Sequence, residues 1–220
     1  MGTMKNVRYK GNAVSFTEYG RPSGFPVIIQ HGLIASIEDG HLFQPLVDAG
    51  LRLLCVARPG YGSSTAFALR NIAEWAAVTE FLVTALSMKH FDILAMSSGA
   101  PYGYAIANGL RSRTRNLFIF SGTPALYNEE VRAIWPYPLD GDRTLPELQQ
   151  LAHELFFPGV SEDTTVAKDV RDSMRNNCFG PALDLFYVDR TGGFRCRASR
   201  SRSPCGIAGK TTRCRMRQQR

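Results

Sequence analysis

Two adjacent serines, Ser97 and Ser98, stand between an apolar run and a stretch of small residues in FDILAMSSGAPYGYA. A serine hydroxyl held at the apex of a sharp strand-to-helix turn can attack a carbonyl carbon and form an acyl intermediate. Such a turn crowds the backbone, so the residues two before and two after the apex must be small. With Ser97 at the apex those residues are Ala95 and Gly99; with Ser98 one of them would be Met96. The spacing selects Ser97 as the apex; a serine in an ordinary strand-to-helix turn fits this pentapeptide equally well. A helix starting at about Ser98 would turn the Ser98 backbone N–H, and the positive end of the helix dipole, toward a developing oxyanion. Pro101 then falls in the first turn, where a missing N–H costs little.

Two earlier segments bear on the same chemistry. VIIQHGLIAS places His31 and Gly32 at the end of an apolar run, and Leu33 offers a second backbone N–H for the oxyanion. ARPGYGSS, residues 57–64, closes the next apolar run with a Gly-rich loop.

These loops need elements to hold them. Asn12–Gly20 alternates and reads as a half-buried strand, while Phe25–Gly32, the run from Leu51, Phe91–Met96 and Leu117–Gly122 read as buried strands. Between them, Asp39–Gly50 and Ala100–Leu110 read as helices. Ile72, Trp75, Ala76, Val78, Phe81, Leu82 and Leu86 recur at helical spacing. Strands alternating with helices predict an α/β fold, a mostly parallel sheet flanked by helices, with ligands at the carboxyl ends of its strands. Residues 124–188 carry no strand signal; TLPELQQLAHELFF and EDTTVAKDVRDSMRNN read as helices of an insertion beside or over the sheet. The predicted organisation is a core over 1–123, a helical cap over 124–188 and a basic tail over 189–220.

The order His-Gly, RPGYGSS, elbow serine resembles the α/β-hydrolase superfamily, in particular its serine-nucleophile esterase and peptidase-like members. The resemblance covers residues 12–125 well and the cap loosely. It implies that Ser97 attacks a carbonyl to give an acyl-enzyme. It implies an oxyanion hole from the N–H groups of Leu33 and Ser98, with His31, Gly32 and Gly99 supporting the motifs. The chain has Ala95 where the commoner elbow has Gly, and Ala57 where the family often has Asp. A serine at the elbow speaks against dehalogenases and epoxide hydrolases, which resemble this fold but use a carboxylate. The substrate implied is a small molecule with an ester- or amide-type carbonyl. No metal or cofactor is implied.

A serine hydroxyl needs an imidazole base, itself oriented by an acid. In the family these follow the cap, but the four histidines here are His31, His41, His90 and His153, and none comes after it. His153, on a cap helix, could lean over the pocket, but a surface or locally satisfied histidine is the favoured reading there. The tail supplies a reason. Residues 190–220 hold ten Lys or Arg and no acid, whereas the sixteen other basic residues and all nineteen acids leave the body at −3 of a total of +7. Back-translated in a shifted frame, residues 190–193 and 202–214 permit a reading that resembles the family's later strand and acid loop, apart from a Gly that the shifted frame cannot supply. The chain is read as a hydrolase truncated or frameshifted near Arg190, its sheet incomplete at the C-terminal end, marginally stable, disordered in the tail and impaired in catalysis.

Two other readings compete. The basic tail could bind nucleic acid electrostatically, but its one aromatic, Phe194, gives no stacking platform. A non-catalytic hydrolase-fold module would keep the pocket without a base. The N-terminus lacks a signal-peptide core and no apolar run is long enough to cross a bilayer, so the expected setting is cytoplasmic, without membrane partners. Five cysteines, three of them in the tail at nine-residue intervals, form neither a disulfide framework nor a zinc site.

Overall fold

Two short apolar strands form the centre of the sheet. β3 (Pro26–Gln30) and β4 (Arg52–Val56) are parallel neighbours, buried on both faces. Their side chains alternate as the pleat requires. Ile28 and Leu54 face one side with Val14, Phe16 and Ile93, where α2 (Trp75–Ala85) and α3 (Ala100–Gly109) bring Trp75, Val78, Leu82 and Ile106 against them. Val27, Ile29, Leu53 and Cys55 face the other side, against Ile37 and Phe43 near α1 (Gln44–Asp48).

The computed structural model describes residues 2–124, 126–136, 141–161, 165–188, 190 and 212–214. Its strands are ordered β1-β2-β4-β3-β5-β6-β7. β5 (Phe91–Met96) and β6 (Thr114–Phe120) continue the parallel centre. β2 (Asn12–Gly20) runs antiparallel to β4, and β1 (Thr3–Tyr9) antiparallel to β2. The sequence patterns do not reveal β1. It is an edge strand, exposed along most of its length, so its residues TMKNVRY carry no apolar alternation.

At the opposite edge, β7 (Thr212–Cys214) pairs antiparallel with Leu117–Ile119 of β6. The tail expected to be disordered lies outside the described residues, save Arg190 and these three. At β7 the open edge of β6 offers unpaired backbone donors and acceptors, and an extended segment takes them.

Residues 124–188 contribute α4 (Glu129–Ala133), α5 (Leu145–Phe156) and α6 (Lys168–Val188), and no strand among those described. Thr144 and Glu147 form a reciprocal cap at the start of α5, the Thr144 N–H donating to the Glu147 carboxylate at 2.7 Å. α6 is broken: Asn176, Asn177 and Cys178 have φ near +55°, a region Asn tolerates better than most residues. The break lets the first half of α6 pack with α5 around Ala152, Phe157 and Cys178. The second half sends Leu183 and Tyr187 into the main core. Among the described residues no helix is long and apolar enough to cross a membrane.

A polar pair couples α2 to β3 inside the core. The Trp75 indole N–H donates to the Gln30 side-chain oxygen at 2.9 Å, and both residues are fully buried. Gln30→Met keeps the volume and strands the indole donor. It should cost about 1–3 kcal/mol, read as a lower urea midpoint with an unchanged slope; an unchanged midpoint would mean the indole finds another partner.

Candidate functional site

The strained turn lies at Ser97. Met96 is extended (φ −121°, ψ 138°), Ser97 has φ +48°, and helical geometry follows through a 3-10 turn, Ser97–Gly99, into α3. The small flanking residues are needed for space. A Cβ on Gly99 would lie 2.4 Å from the Gln30 carbonyl oxygen and 2.5 Å from that of His31. One turn later a Cβ on Gly103 would lie 2.7 Å from the Ala95 Cβ. The end of β6 is tied to the turn, the Thr123 N–H donating to the Ser97 carbonyl at 3.0 Å.

The two serines face different ways. Ser97 is exposed and lines a cavity of about 290 Å³ at the carboxyl ends of β3, β4 and β5. Among the described residues its hydroxyl has no hydrogen-bond partner. Ser98 is half-buried and turned into the protein, its hydroxyl donating to Asp184 at 2.9 Å. The walls of the cavity are apolar, with Ile29, Ile34, Ile37, Phe43, Met96 and Phe120 among them, and Asp39 and Asp169 are its charged lining residues. Ser121 also lines it, and like Ser97 it has positive φ.

The loop after β3 meets the turn closely: a Cβ on Gly32 would lie 3.5 Å from the Ser97 Cβ. α6 holds this loop from behind. Ser173 Oγ accepts from the Ala35 N–H at 3.0 Å, and Ser36 donates to the Asp172 carboxylate. Leu33 is half-buried, and its carbonyl accepts from the Tyr61 hydroxyl at 2.8 Å.

A charged cluster that sequence reasoning missed lies beneath these loops. Arg58 and Asp184 have side chains only 1% and 3% exposed. The Arg58 guanidinium donates through Nε and one terminal nitrogen to both Asp184 oxygens, at 3.2 and 2.5 Å. It also donates to the carbonyls of His31 and Gly32. The hydroxyls of Tyr61 and Tyr102 approach the same carboxylate at 2.9 Å each. Burial alone would weaken Arg58's hold on its proton; the adjacent Asp184 more than offsets this and holds the guanidinium above its ordinary range. Burial first, then the Asp184 charge, pushes both phenols well above theirs. Arg58 was visible in the sequence only as part of RPGYG. Asp184 left no signal, being one acid in a helix 126 residues away.

No imidazole among the described residues serves Ser97. His31 is buried, and both of its ring nitrogens are occupied. Nε2 accepts from the Arg58 N–H at 3.3 Å, so Nδ1 carries the proton and donates to the Gly32 carbonyl at 2.8 Å. His41 and His90 are exposed. His153 makes a local contact, as the favoured reading of a satisfied histidine expects: its Nε2 meets the Val160 carbonyl at 3.1 Å beyond the end of α5. Among the described residues no group of three or more His, Cys, Asp or Glu is placed to hold a metal ion.

Burial, then the neighbouring Arg58 charge, holds the His31 imidazole well below its ordinary 6.5. The unfolded chain takes up this proton near the ordinary value and the folded chain only at lower pH. The stabilisation is fully present above about pH 6.5 and is lost below it, at about 1.4 kcal/mol per pH unit until the folded ring titrates. Urea midpoints at about pH 7.5 and about pH 5.5 should fall more in the wild type than in His31→Gln. Equal falls would assign the acid sensitivity elsewhere.

No family model matches the chain. An uncharacterized hydrolase of Bacillus subtilis (strain 168), YcgS, is 22% identical over 159 residues. That covers 72% of this chain and 50% of the relative, so the chain spans about half the length of the curated relative it matches. Among solved structures, an α/β-hydrolase fold protein from Chitinophaga pinensis aligns with a TM-score of 0.58 at 18% identity, over 88% of this chain and 74% of that one. A structure described with carboxylesterases of Nitrososphaera gargenis gives 0.60 at 14%, over 84% and 72%. The epoxide hydrolase CorEH gives 0.61 at 16%, over 86% and 74%. Likeness at these identities is likeness of fold, and what this chain shares with all of them is the α/β-hydrolase fold.

Proposed function

We propose that this chain carries the acylation half of a serine hydrolase site, acting on an ester- or amide-type carbonyl. The carrying observation is the contrast between the two serines: Ser97 is strained and open to the cavity, whereas Ser98 is tied down beneath it. In this reading the Ser97 Oγ bonds to the carbonyl carbon and gives up its proton to water. The carbonyl oxygen becomes an oxyanion facing the Leu33 and Ser98 N–H groups. The bond to the leaving group then breaks, the leaving group takes up a proton, and an acyl-serine remains.

The step lacks a base. With both His31 nitrogens occupied and His153 bonded elsewhere, the hydroxyl keeps its ordinary weak nucleophilicity. Removing members of a triad typically costs about 10⁴- to 10⁶-fold in turnover. Turnover here is correspondingly slow, and an out-of-frame segment from near Arg190 accounts for the missing acid and histidine. The cavity supports a choice of acyl group. Its walls are apolar and its charged lining residues are both acids, so an uncharged apolar chain enters and an anionic one is repelled.

Two measurements test this. A fluorophosphonate should label the folded chain slowly at Ser97, read by mass spectrometry, and Ser97→Ala should abolish labelling. A folded chain that binds apolar ligands without ever being labelled would instead be a binding module. Second, an alkyl fluorophosphonate should label several-fold faster than one of the same length ending in a carboxylate, and Asp39→Asn should narrow the gap. No discrimination would place the acyl chain outside this cavity.

A further inference from the structure

We infer that the buried Arg58–Asp184 pair is a positioning device for the oxyanion hole, a role that rests on reading Ser97 as the nucleophile. The geometry is specific to that task. Arg58 donates to the Gly32 carbonyl at 3.0 Å, and this carbonyl belongs to the same peptide group as the Leu33 N–H. In a trans peptide the C=O and N–H point in opposite directions. Fixing the Gly32 oxygen on the guanidinium therefore aims the Leu33 N–H away from Arg58. A positive charge on that oxygen also polarises the peptide and makes its N–H a stronger donor.

The second oxyanion donor belongs to Ser98, and the same pair grips that residue. The Ser98 hydroxyl donates to Asp184 at 2.9 Å and lies 3.2 Å from an Arg58 nitrogen. Arg58 also holds the His31 carbonyl, so the peptide preceding Gly32 cannot rotate independently. Tyr61 closes the frame: its hydroxyl lies between the Leu33 carbonyl and Asp184, at 2.8 and 2.9 Å. Both proposed donors are thus referenced to one carboxylate, supplied by α6 from the far end of the chain. Besides Asp184, Arg58 donates to the His31 and Gly32 carbonyls and to the Ser98 hydroxyl, the groups that flank the two proposed donors.

The test uses the full chain. Arg58→Lys keeps the charge but cannot reach all the acceptors of the fork, and Asp184→Asn keeps the shape but loses the charge. At saturating alkyl fluorophosphonate both should label Ser97 about 10- to 100-fold more slowly than wild type, with the probe concentration for half-maximal rate unchanged. The Leu33 and Ser98 amide proton resonances should move more than those of distant amides. Variants that fold and label at the wild-type rate would overturn the inference. If Asp184→Asn does not fold, Ser98→Ala removes one leg while leaving the ion pair, and it should still slow labelling and shift the Ser98 amide. If wild type itself is never labelled, the serine hydrolase reading fails. The amide spectra then decide the positioning: unchanged Leu33 and Ser98 resonances in Arg58→Lys overturn it, and displaced ones support it.

Discussion

A guanidinium without access to water must find its counter-charge inside the protein, and Arg58 finds it in Asp184. Burying either ion alone costs several kcal/mol, and removing one partner of such a pair typically costs about 3–5 kcal/mol because the other is left uncompensated. The pair therefore fixes α6 to the loop after β4. α6 in turn holds the loop after β3 through Asp172 and Ser173, and the elbow through Ser98. Three loops that leave the sheet at different strands are thus referenced to one helix. A parallel sheet by itself would leave such loops to find their own positions.

The elbow imposes a second constraint, of space. A residue at φ +48° with a side chain is strained, and it persists only where its surroundings allow no alternative. Here the carbonyls of Gln30 and His31 press against Gly99, and Ala95 presses against Gly103. The backbone of α3 is drawn onto β3 and β5 so closely that only hydrogen atoms fit at these positions. Strain at Ser97 is thus held by packing in the layer beneath it, and its hydroxyl stays on the open side.

His31 illustrates how the two constraints meet. A histidine lining the same cavity as Ser97 invites a catalytic role. Its ring instead bridges the Arg58 backbone and the Gly32 carbonyl, with Tyr61 packed edge-on at 4.6 Å. It braces the loop as a neutral, fully partnered group. The cavity above is lined by apolar side chains, two acids and Ser97.

Much of this was legible in the residues. Apolar runs ending in glycine marked the central strands, helical spacing marked α2, and the small residues around Ser97 marked a crowded turn, because each of these is a local consequence of backbone geometry. β1 was not legible, since an exposed edge strand needs no apolar face. Neither were the break in α6 at Asn176–Cys178 nor the helix's role as a brace. The partnership of Arg58 with Asp184 was least legible of all. Its energy comes from desolvation, and desolvation exists only once the tertiary fold has closed around both groups. Sequence by itself determined where the chain must turn and which serine sits at the turn; only the tertiary structure decided which charges lose their water together, and so what holds that turn in place.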